Sequence, residues 1–251
     1  MKIGIQTYTV REQMDQDFEG TLRTLREIGY EGAELCQFYG RSGAQIRDIF
    51  ARTGLTLVSM SFSLDDVCDD CVAKIREVKQ TGTRYAVISW LDPARRRGTD
   101  RWEQTLQELR QVACVCRENG LQLLYHNHDF EFCKHDGSYD YDQMMQQVPQ
   151  LYAEPDAGWI TAAGLSPVAF LQKYSGRVPL VHAKDIEGRI DFETFQYRTV
   201  GEGIIDWRAV LSAAQKAGTE WIVLEQDLPD GGRTPMACAE AGYTFLRKIN
   251  P

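Results

Sequence analysis

The chain of 251 residues lacks a long apolar segment. No run of apolar residues reaches the roughly 18 residues that a membrane-spanning helix requires. Residues 1–8 also lack the apolar core of a secretory signal peptide. Both absences predict a cytoplasmic protein.

Positive charge is in short supply. The chain has 28 lysines and arginines against 36 aspartates and glutamates, for a formal net charge of -8. General binding to nucleic acid or to an anionic membrane surface would work against this charge. The sequence therefore favours a small molecule as the partner, and its composition is compatible with a homo-oligomer.

The cysteines do not form the pattern of a disulfide-rich protein. There are seven, an odd number scattered through a chain of ordinary domain size. Cys68 and Cys71 have the spacing of zinc ligands, but they are not placed as in a zinc ribbon, and we interpret them as structural. Cys114 and Cys116 lie in a helical pattern and point to different faces, so we expect one of them to fill the core.

A glycine-rich nucleotide-binding motif is also missing. Residues 6–11, which follow the first predicted strand, contain no glycine, and no Walker A sequence occurs. Gly201 and Gly203 form a bare G-x-G pair that is typical of a turn before a helix. The sequence thus disfavours an open, doubly wound sheet that binds a nucleotide.

What the chain does contain is a repeated unit: an amphipathic helical pattern, a glycine suited to a helix C-terminus, and a short β-rich run. The predicted strands lie near residues 2–8, 32–36, 55–61, 85–89, 121–127, 151–156, 178–184 and 221–226. The predicted helices lie near residues 17–28, 43–53, 71–81, 102–119, 139–148, 167–174, 206–217 and 236–249. Eight such units predict an α/β fold, a single (β/α)8 TIM barrel over residues 1–251.

Metal-ligating residue types stand at the ends of the last four predicted strands. They are His126 and His128, Asp156, His182 and Glu225. The carboxyl ends of barrel strands converge, so these side chains can surround one point. Singly, each has an ordinary explanation, such as a hydrogen-bonded histidine or a helix-capping aspartate. Jointly they predict a divalent metal site, and the mixed N/O donors suit Mn, Co, Zn or Fe better than Mg or Ca.

Five segments carry a resemblance to a known family. They are residues 125–132, 154–159, 182–185, 200–207 and 225–227. These segments resemble the sugar phosphate isomerase/epimerase family of xylose isomerase-like TIM barrels, and the resemblance covers essentially the whole chain.

The resemblance also implies a ligand set. The family typically holds a divalent metal with Glu, Asp, His and Glu at the ends of strands five to eight. The last three carry over onto Asp156, His182 and Glu225. The position of the family's first glutamate falls near His126. Either this histidine replaces that carboxylate as a ligand, or Glu131 folds back to bind the metal.

The activity implied is proton abstraction next to a carbonyl group of a small keto-sugar or sugar derivative, by an isomerase or epimerase. One alternative is a metal-dependent dehydratase of a keto-polyol, similar to inosose dehydratase. Another is a sugar-binding barrel without catalysis. Metal content separates the enzymes from the last of these, because a barrel that has lost its metal would gain no stability from Mn or Co.

Catalytic roles are predicted for four residues. Glu225 is both ligand and candidate base, and His128 or Glu131 would act on the opposite side of the substrate. Lys184 could neutralise an oxyanion or a substrate carboxylate, although a lysine after a strand is as often solvated.

Substrate contacts are predicted for Tyr8, Trp159 and Asn127, with Trp90 as a further aromatic candidate. Packing at the barrel mouth explains the aromatic residues equally well. The three arginines at residues 95–97 could meet an anionic substrate, and solvation of the loop is the slightly favoured alternative.

Overall fold

The computed structural model describes residues 1–188 and 195–250. Eight strands of this part of the chain form one parallel sheet. The first six pair in chain order, and the last strand pairs with both the first and the seventh. The barrel strands are Lys2–Gln6, Gly32–Leu35, Thr56–Ser63, Tyr85–Trp90, Gln122–His126, Tyr152–Glu154, Leu180–Ala183 and Trp221–Leu224. We number them from first to eighth. The predicted (β/α)8 barrel is confirmed.

The barrel closes between the sixth and seventh strands. The backbone N–H of His182 donates to the carbonyl of Pro155 at 2.9 Å, and Asp156 and His182 form an isolated parallel bridge. The Ala153 N–H donates to the carbonyl of Arg177 at 2.8 Å. Two predicted metal ligands therefore stand side by side at this seam.

The helices cover the outer face of the barrel, as the apolar periodicity predicts. The α-helices are Arg11–Gln16, Phe18–Ile28, Gly43–Thr53, Leu64–Cys68, Cys71–Gln80, Trp102–Glu118, Asp140–Gln147, Ala157–Ala162, Pro167–Lys173, Trp207–Ala217 and Pro235–Ile249. In the part of the chain covered by the structure, no helix is long and apolar enough to cross a membrane.

Three of these helices, Arg11–Gln16, Leu64–Cys68 and Ala157–Ala162, were not predicted. Each has five or six residues, too few for an apolar period to stand out. Local capping starts two of them: Ser63 and Asp66 form a capping box for the second, and Asp156 caps the third. Two short antiparallel ribbons also lie outside the barrel, Lys134–His135 with Ser138–Tyr139 and Asp185–Glu187 with Gln196–Arg198.

The interior of the barrel changes character along its axis. Its amino-terminal half is filled by an apolar cluster that consists of Val58, Tyr85, Val87, Leu124, Leu180, Trp221 and Val223. Toward the carboxyl ends of the strands the buried side chains become polar. These include Gln6, Glu34, Ser59, Ser61, Glu154 and His182. The apolar plug closes one end and leaves a polar floor facing the other, where barrel strands present functional side chains.

Asp185 holds the loop before the helix Trp207–Ala217. Its carboxyl oxygens accept from the backbone N–H groups of Gly201 at 2.9 Å and Gly203 at 3.2 Å, and from the Trp207 indole Nε1–H at 2.8 Å. A Cβ on Gly203 would lie 2.1 Å from an Asp185 oxygen, so only glycine fits there. The G-x-G pair is thus part of a turn, as its sequence predicts.

We expect Asp185→Asn to lower the free energy of unfolding by about 2–4 kcal/mol, because an amide NH₂ would replace one acceptor among converging buried donors. Urea unfolding measures the change. Asp206→Asn is the matched control: Asp206 caps the same helix at an exposed position, where asparagine caps as well as aspartate. Equal losses in the two variants would contradict this role of Asp185.

Candidate active site and metal centre

Four side chains meet on the polar floor of the barrel. His126, Asp156, His182 and Glu225 each offer a nitrogen or oxygen atom, and these four atoms lie within 4.8 Å of one another. His126 Nε2 lies 3.5 Å from Asp156 Oδ2 and 3.7 Å from Glu225 Oε2. His182 Nδ1 lies 3.0 Å from the same Glu225 oxygen. Side chains from strands five to eight are therefore brought to one point.

The geometry of this cluster fits a divalent cation. Bonds of 2.0–2.2 Å in a tetrahedral site place neighbouring ligand atoms about 3.3–3.6 Å apart, close to the separations in the cluster. His126 Nδ1 and Nε2 and Asp156 Oδ2 are buried and have no hydrogen-bond partner among the described residues. Buried polar atoms without partners are costly, and a cation would relieve that cost. The predicted ligand roles remain predictions that this geometry supports.

Asp156 both caps a helix and faces the cluster. Its Oδ1 accepts from the backbone N–H of Trp159 at 2.8 Å, and its Oδ2 is the atom near His126. Its own N–H donates to Oδ1 of Asn127 at 3.0 Å. The capping alternative and the ligand prediction are thus compatible, because the two carboxylate oxygens point to different partners.

Asn127 occupies a different place from the one predicted. Its side chain is fully buried beside the Asp156 backbone rather than on the cavity wall. The alternation of a strand explains this, because the residue between two inward-facing histidines points the other way. Asn127 thus holds the backbone of Asp156 and is not among the residues that line the cavity.

Lys184 lies beneath the cluster. Its Nζ is 3.1 Å from Glu225 Oε2, 3.4 Å from Asp156 Oδ2 and 3.1 Å from Asp227 Oδ1. Burial would lower the pKa of Lys184, but these three carboxylates outweigh it and hold the pKa above its ordinary value. The side chain is 2% exposed, so this cation offsets the charge of the carboxylates and stands behind the cavity wall.

A cavity of about 620 Å³ opens above the cluster. This volume is within the range of small-molecule sites. Tyr8, Trp90 and Trp159, whose substrate contacts remain predictions, line it together with Phe130 and Tyr197. The wall is therefore largely aromatic and the floor is polar, an arrangement suited to a small ligand with an apolar face and a polar end.

His128 lies on the cavity wall next to the cluster. Its ring stacks on Phe130 at 5.6 Å between centroids and meets the edge of Trp90 at 5.2 Å. Burial first, and then the charges of His126 and Lys184, hold the pKa of His128 well below its ordinary value. Burial and these neighbouring charges keep the imidazole in its neutral form.

Glu131 does not reach the cluster. Its Oε1 accepts from the Tyr125 hydroxyl at 2.7 Å and its Oε2 from the His128 N–H at 2.8 Å. Burial raises the pKa of Glu131 to about 7. Of the two alternatives for the fourth ligand, the structure places His126 in the cluster and Glu131 behind the His128 backbone.

The three consecutive arginines have separate environments. Arg95 is buried in ion pairs with Asp65 and Glu108. Arg97 lies near Asp136 and Asp140. Arg96 instead covers the ring of Phe130 at 3.4 Å and lines the cavity. Of these three arginines, only Arg96 lies on the cavity wall, where contact with an anionic substrate is possible.

Two carboxylates at this site were missed in the sequence. Glu34, at the end of the second strand, and Glu154, at the end of the sixth, are fully buried near His182. Glu154 had a signal that could have revealed it: it precedes Asp156 by two residues and so shares its face of the strand. Glu34 had no comparable neighbour.

All seven cysteines are free. Cys116 is buried in the core and Cys114 is partly exposed, as predicted for that pair. Cys68 Sγ lies 3.6 Å from Glu108 Oε2, away from the cluster described above. The interpretation of Cys68 and Cys71 as structural stays a prediction.

The chain is similar in sequence to two known proteins. It is 23% identical to the rhizopine catabolism protein MocC of Rhizobium meliloti, in an alignment that covers 94% of this chain and 82% of that protein. It is also 23% identical to inosose dehydratase of Geobacillus kaustophilus, in an alignment that covers 91% of this chain and 86% of that protein.

Solved structures share the fold. A sugar phosphate isomerase/epimerase from Parabacteroides distasonis superposes with a TM-score of 0.83 at 18% identity, covering 98% of this chain and 93% of that one. The IolI protein, solved with a bound zinc atom, superposes with a TM-score of 0.78 at 16% identity, covering 99% and 98%.

The model of the xylose isomerase-like TIM barrel family matches residues 22–249. This match spans seven of the eight barrel strands and all four strands that supply the cluster. The chain belongs to the xylose isomerase-like TIM barrel family.

Proposed function

We propose that this protein is a divalent-metal-dependent dehydratase of a small keto-polyol or keto-sugar. The observation that carries the proposal is the cluster of His126, Asp156, His182 and Glu225 on the floor of an aromatic cavity. His128 lines the cavity beside this cluster, with its imidazole in the neutral form. The relatives named inosose dehydratase support a lyase over the isomerase that the sequence first suggests.

The cation would be held by four residues, which are His126, Asp156, His182 and Glu225. When bound there, a divalent cation would polarise the substrate's carbonyl group and stabilise negative charge on its oxygen. Lys184 offsets the charge of the two carboxylates, and the aromatic wall orients the ring and excludes water.

His128 would move the proton. The imidazole takes the proton from the carbon next to the carbonyl, and the electron pair of that C–H bond forms the enolate. The enolate oxygen then re-forms the carbonyl, the electron pair of the enolate C=C bond becomes the new C=C bond to the β-carbon, and the C–O bond to the β-hydroxyl breaks. The same imidazole returns its proton to the departing hydroxide, which leaves as water. One acid–base group on one face of the substrate is sufficient for this elimination.

Isomerisation or epimerisation is the second candidate. The solved structures named sugar phosphate isomerase/epimerase favour it, and it begins with the same proton abstraction. Epimerisation additionally needs an acid on the opposite face of the substrate. A carboxylate at the end of the fifth strand would suit that role, but His126 stands there and Glu131 faces the Tyr125 hydroxyl.

Product analysis tests the proposal. The purified protein is loaded with Mn, Co or Zn and incubated with a panel of keto-inositols and keto-sugars, and products are followed by mass spectrometry. A dehydratase yields a product lighter by one water, whereas an isomerase or epimerase yields one of unchanged mass. Unchanged substrates, together with no bound metal and no thermal stabilisation by added metal, would favour the sugar-binding alternative.

The identity of the fourth ligand gives a further prediction. We expect His126→Ala to lose most metal affinity, because Nε2 is one corner of the cluster, and Glu131→Ala to retain metal. Titration with Co and metal analysis after dialysis measure both. The opposite result, full occupancy in His126→Ala and loss in Glu131→Ala, would show that Glu131 folds back to serve.

A further inference from the structure

The ring of His182 lies between two sets of carboxylates. Its Nδ1 lies 3.0 Å from Glu225 Oε2, on the side of the metal cluster. Its Nε2 lies 3.4 Å from Glu154 Oε1 and 3.5 Å from Glu34 Oε1, on the side of the barrel interior. The ring is 1% exposed, so water does not compete for either nitrogen.

The metal-binding nitrogen of a histidine must be unprotonated, and the other nitrogen then carries the proton. If Nδ1 faces the cation, Nε2–H needs an acceptor in the barrel interior. Glu154 and Glu34 are the carboxylates that the structure places within 3.5 Å of it. Their arrangement selects one tautomer of His182 and one orientation of its ring.

The two carboxylates are not equivalent. Glu34 is already hydrogen-bonded, since the Gln6 side-chain amide and the Ser59 hydroxyl both donate to it. Both oxygens of Glu154 are fully buried and have no hydrogen-bond partner among residues 1–188 and 195–250. Glu154 therefore has its acceptor capacity free for His182.

We propose that Glu154 is a positioning residue that accepts the Nε2–H of His182 and thereby holds Nδ1 toward the metal. Glu34, held by its own hydrogen bonds, lies near Nε2 as the second carboxylate. This inference rests on the proposed function, because it takes the cluster to bind a cation. It adds that affinity for the metal depends on a carboxylate that does not touch the metal.

The test is Glu154→Gln, which keeps the size of the side chain and removes its charge. We expect the affinity for Zn or Co, measured by competition with a chromophoric chelator, to fall on the order of 10- to 100-fold. In the Zn-loaded protein, the NMR signal of the His182 Nε2–H proton should move upfield, because its hydrogen bond becomes weaker. Glu154→Asp, which restores a carboxylate, should recover part of the affinity.

Asp140→Asn is the matched control. It also removes a buried carboxylate, but Asp140 contacts His135 and Arg97 rather than His182. Its metal affinity should equal that of the wild type. An Asp140→Asn variant that loses as much affinity as Glu154→Gln would overturn the proposal, since any buried charge would then have the same effect.

Two further outcomes distinguish a failure of the proposed role of Glu154 from a failure of the proposed function. Wild-type protein that binds no metal defeats the proposed function. Wild-type protein that binds metal, with unchanged affinity and an unchanged Nε2–H signal in Glu154→Gln, defeats only the role of Glu154. If Glu154→Gln does not fold, Glu154→Asp and Glu34→Gln replace it, and wild-type affinity in both overturns the proposal.

Discussion

Asp156→Ala is expected to abolish stoichiometric metal binding and, with it, all turnover. The substitution removes Oδ2, the oxygen 3.5 Å from His126 Nε2, and leaves a three-residue cluster with one negative charge fewer. It also leaves Lys184 with one carboxylate fewer to pair with, so a cation would enter a less negative site. Metal analysis after dialysis, together with Co titration, measures the loss.

Because Asp156 also caps the helix Ala157–Ala162, the stability of this variant needs its own control. Ser166→Ala removes a comparable cap from the neighbouring helix Pro167–Lys173, where Ser166 Oγ accepts from the Ala169 N–H at 3.3 Å. Ser166→Ala should lose about 0.5–2 kcal/mol of stability. Asp156→Ala should lose more, because buried Lys184 also loses a carboxylate partner, but only Asp156→Ala should lose metal. Retention of one metal ion per chain by Asp156→Ala would remove this residue from the ligand set.

The strand ends were the most predictable part of the site. Asp156, His182 and Glu225 each follow a short apolar run, and a parallel barrel gathers such positions at one mouth. The preference for His126 over Glu131 followed from the same rule, because a residue at the end of a strand needs no loop to bring it inward. The helix Gly43–Thr53 was predicted to the residue, since glycines and caps bound it on both sides.

What the sequence did not reveal depends on contacts between distant segments. Glu34 and Glu154 read as ordinary polar residues until the barrel closes and places both beside His182. Lys184 reads equally well as a solvated loop lysine, and its burial becomes visible only once Asp156, Glu225 and Asp227 surround it. A one-dimensional pattern indicates which face a residue occupies, but it does not identify the partners across the barrel.

Glu34 and Glu154 also have a physical consequence for the cluster. Fully buried carboxylates are costly unless they are paired with cations or hydrogen-bonded. Here Lys184 is a buried cation and the two histidines lie beside the carboxylates, so the floor of the barrel is a dense network of charged and polar groups. Such a network is suited to keeping His182 in a fixed orientation before a cation arrives.

His128→Asn is expected to retain its metal and to lose on the order of 100- to 10,000-fold in turnover, because it removes the group that moves the proton while leaving the four cluster residues intact. In deuterated water, wild-type protein should also place deuterium on the carbon next to the carbonyl of recovered substrate, and His128→Asn should not. His135→Asn is the matched control: this fourth histidine is hydrogen-bonded to Asp140 and lies away from the cavity, so its loss should leave turnover and exchange unchanged. Deuterium exchange at the wild-type rate in metal-loaded His128→Asn would assign proton transfer to another group on the cavity wall. Asp227 would be the first of these groups to test.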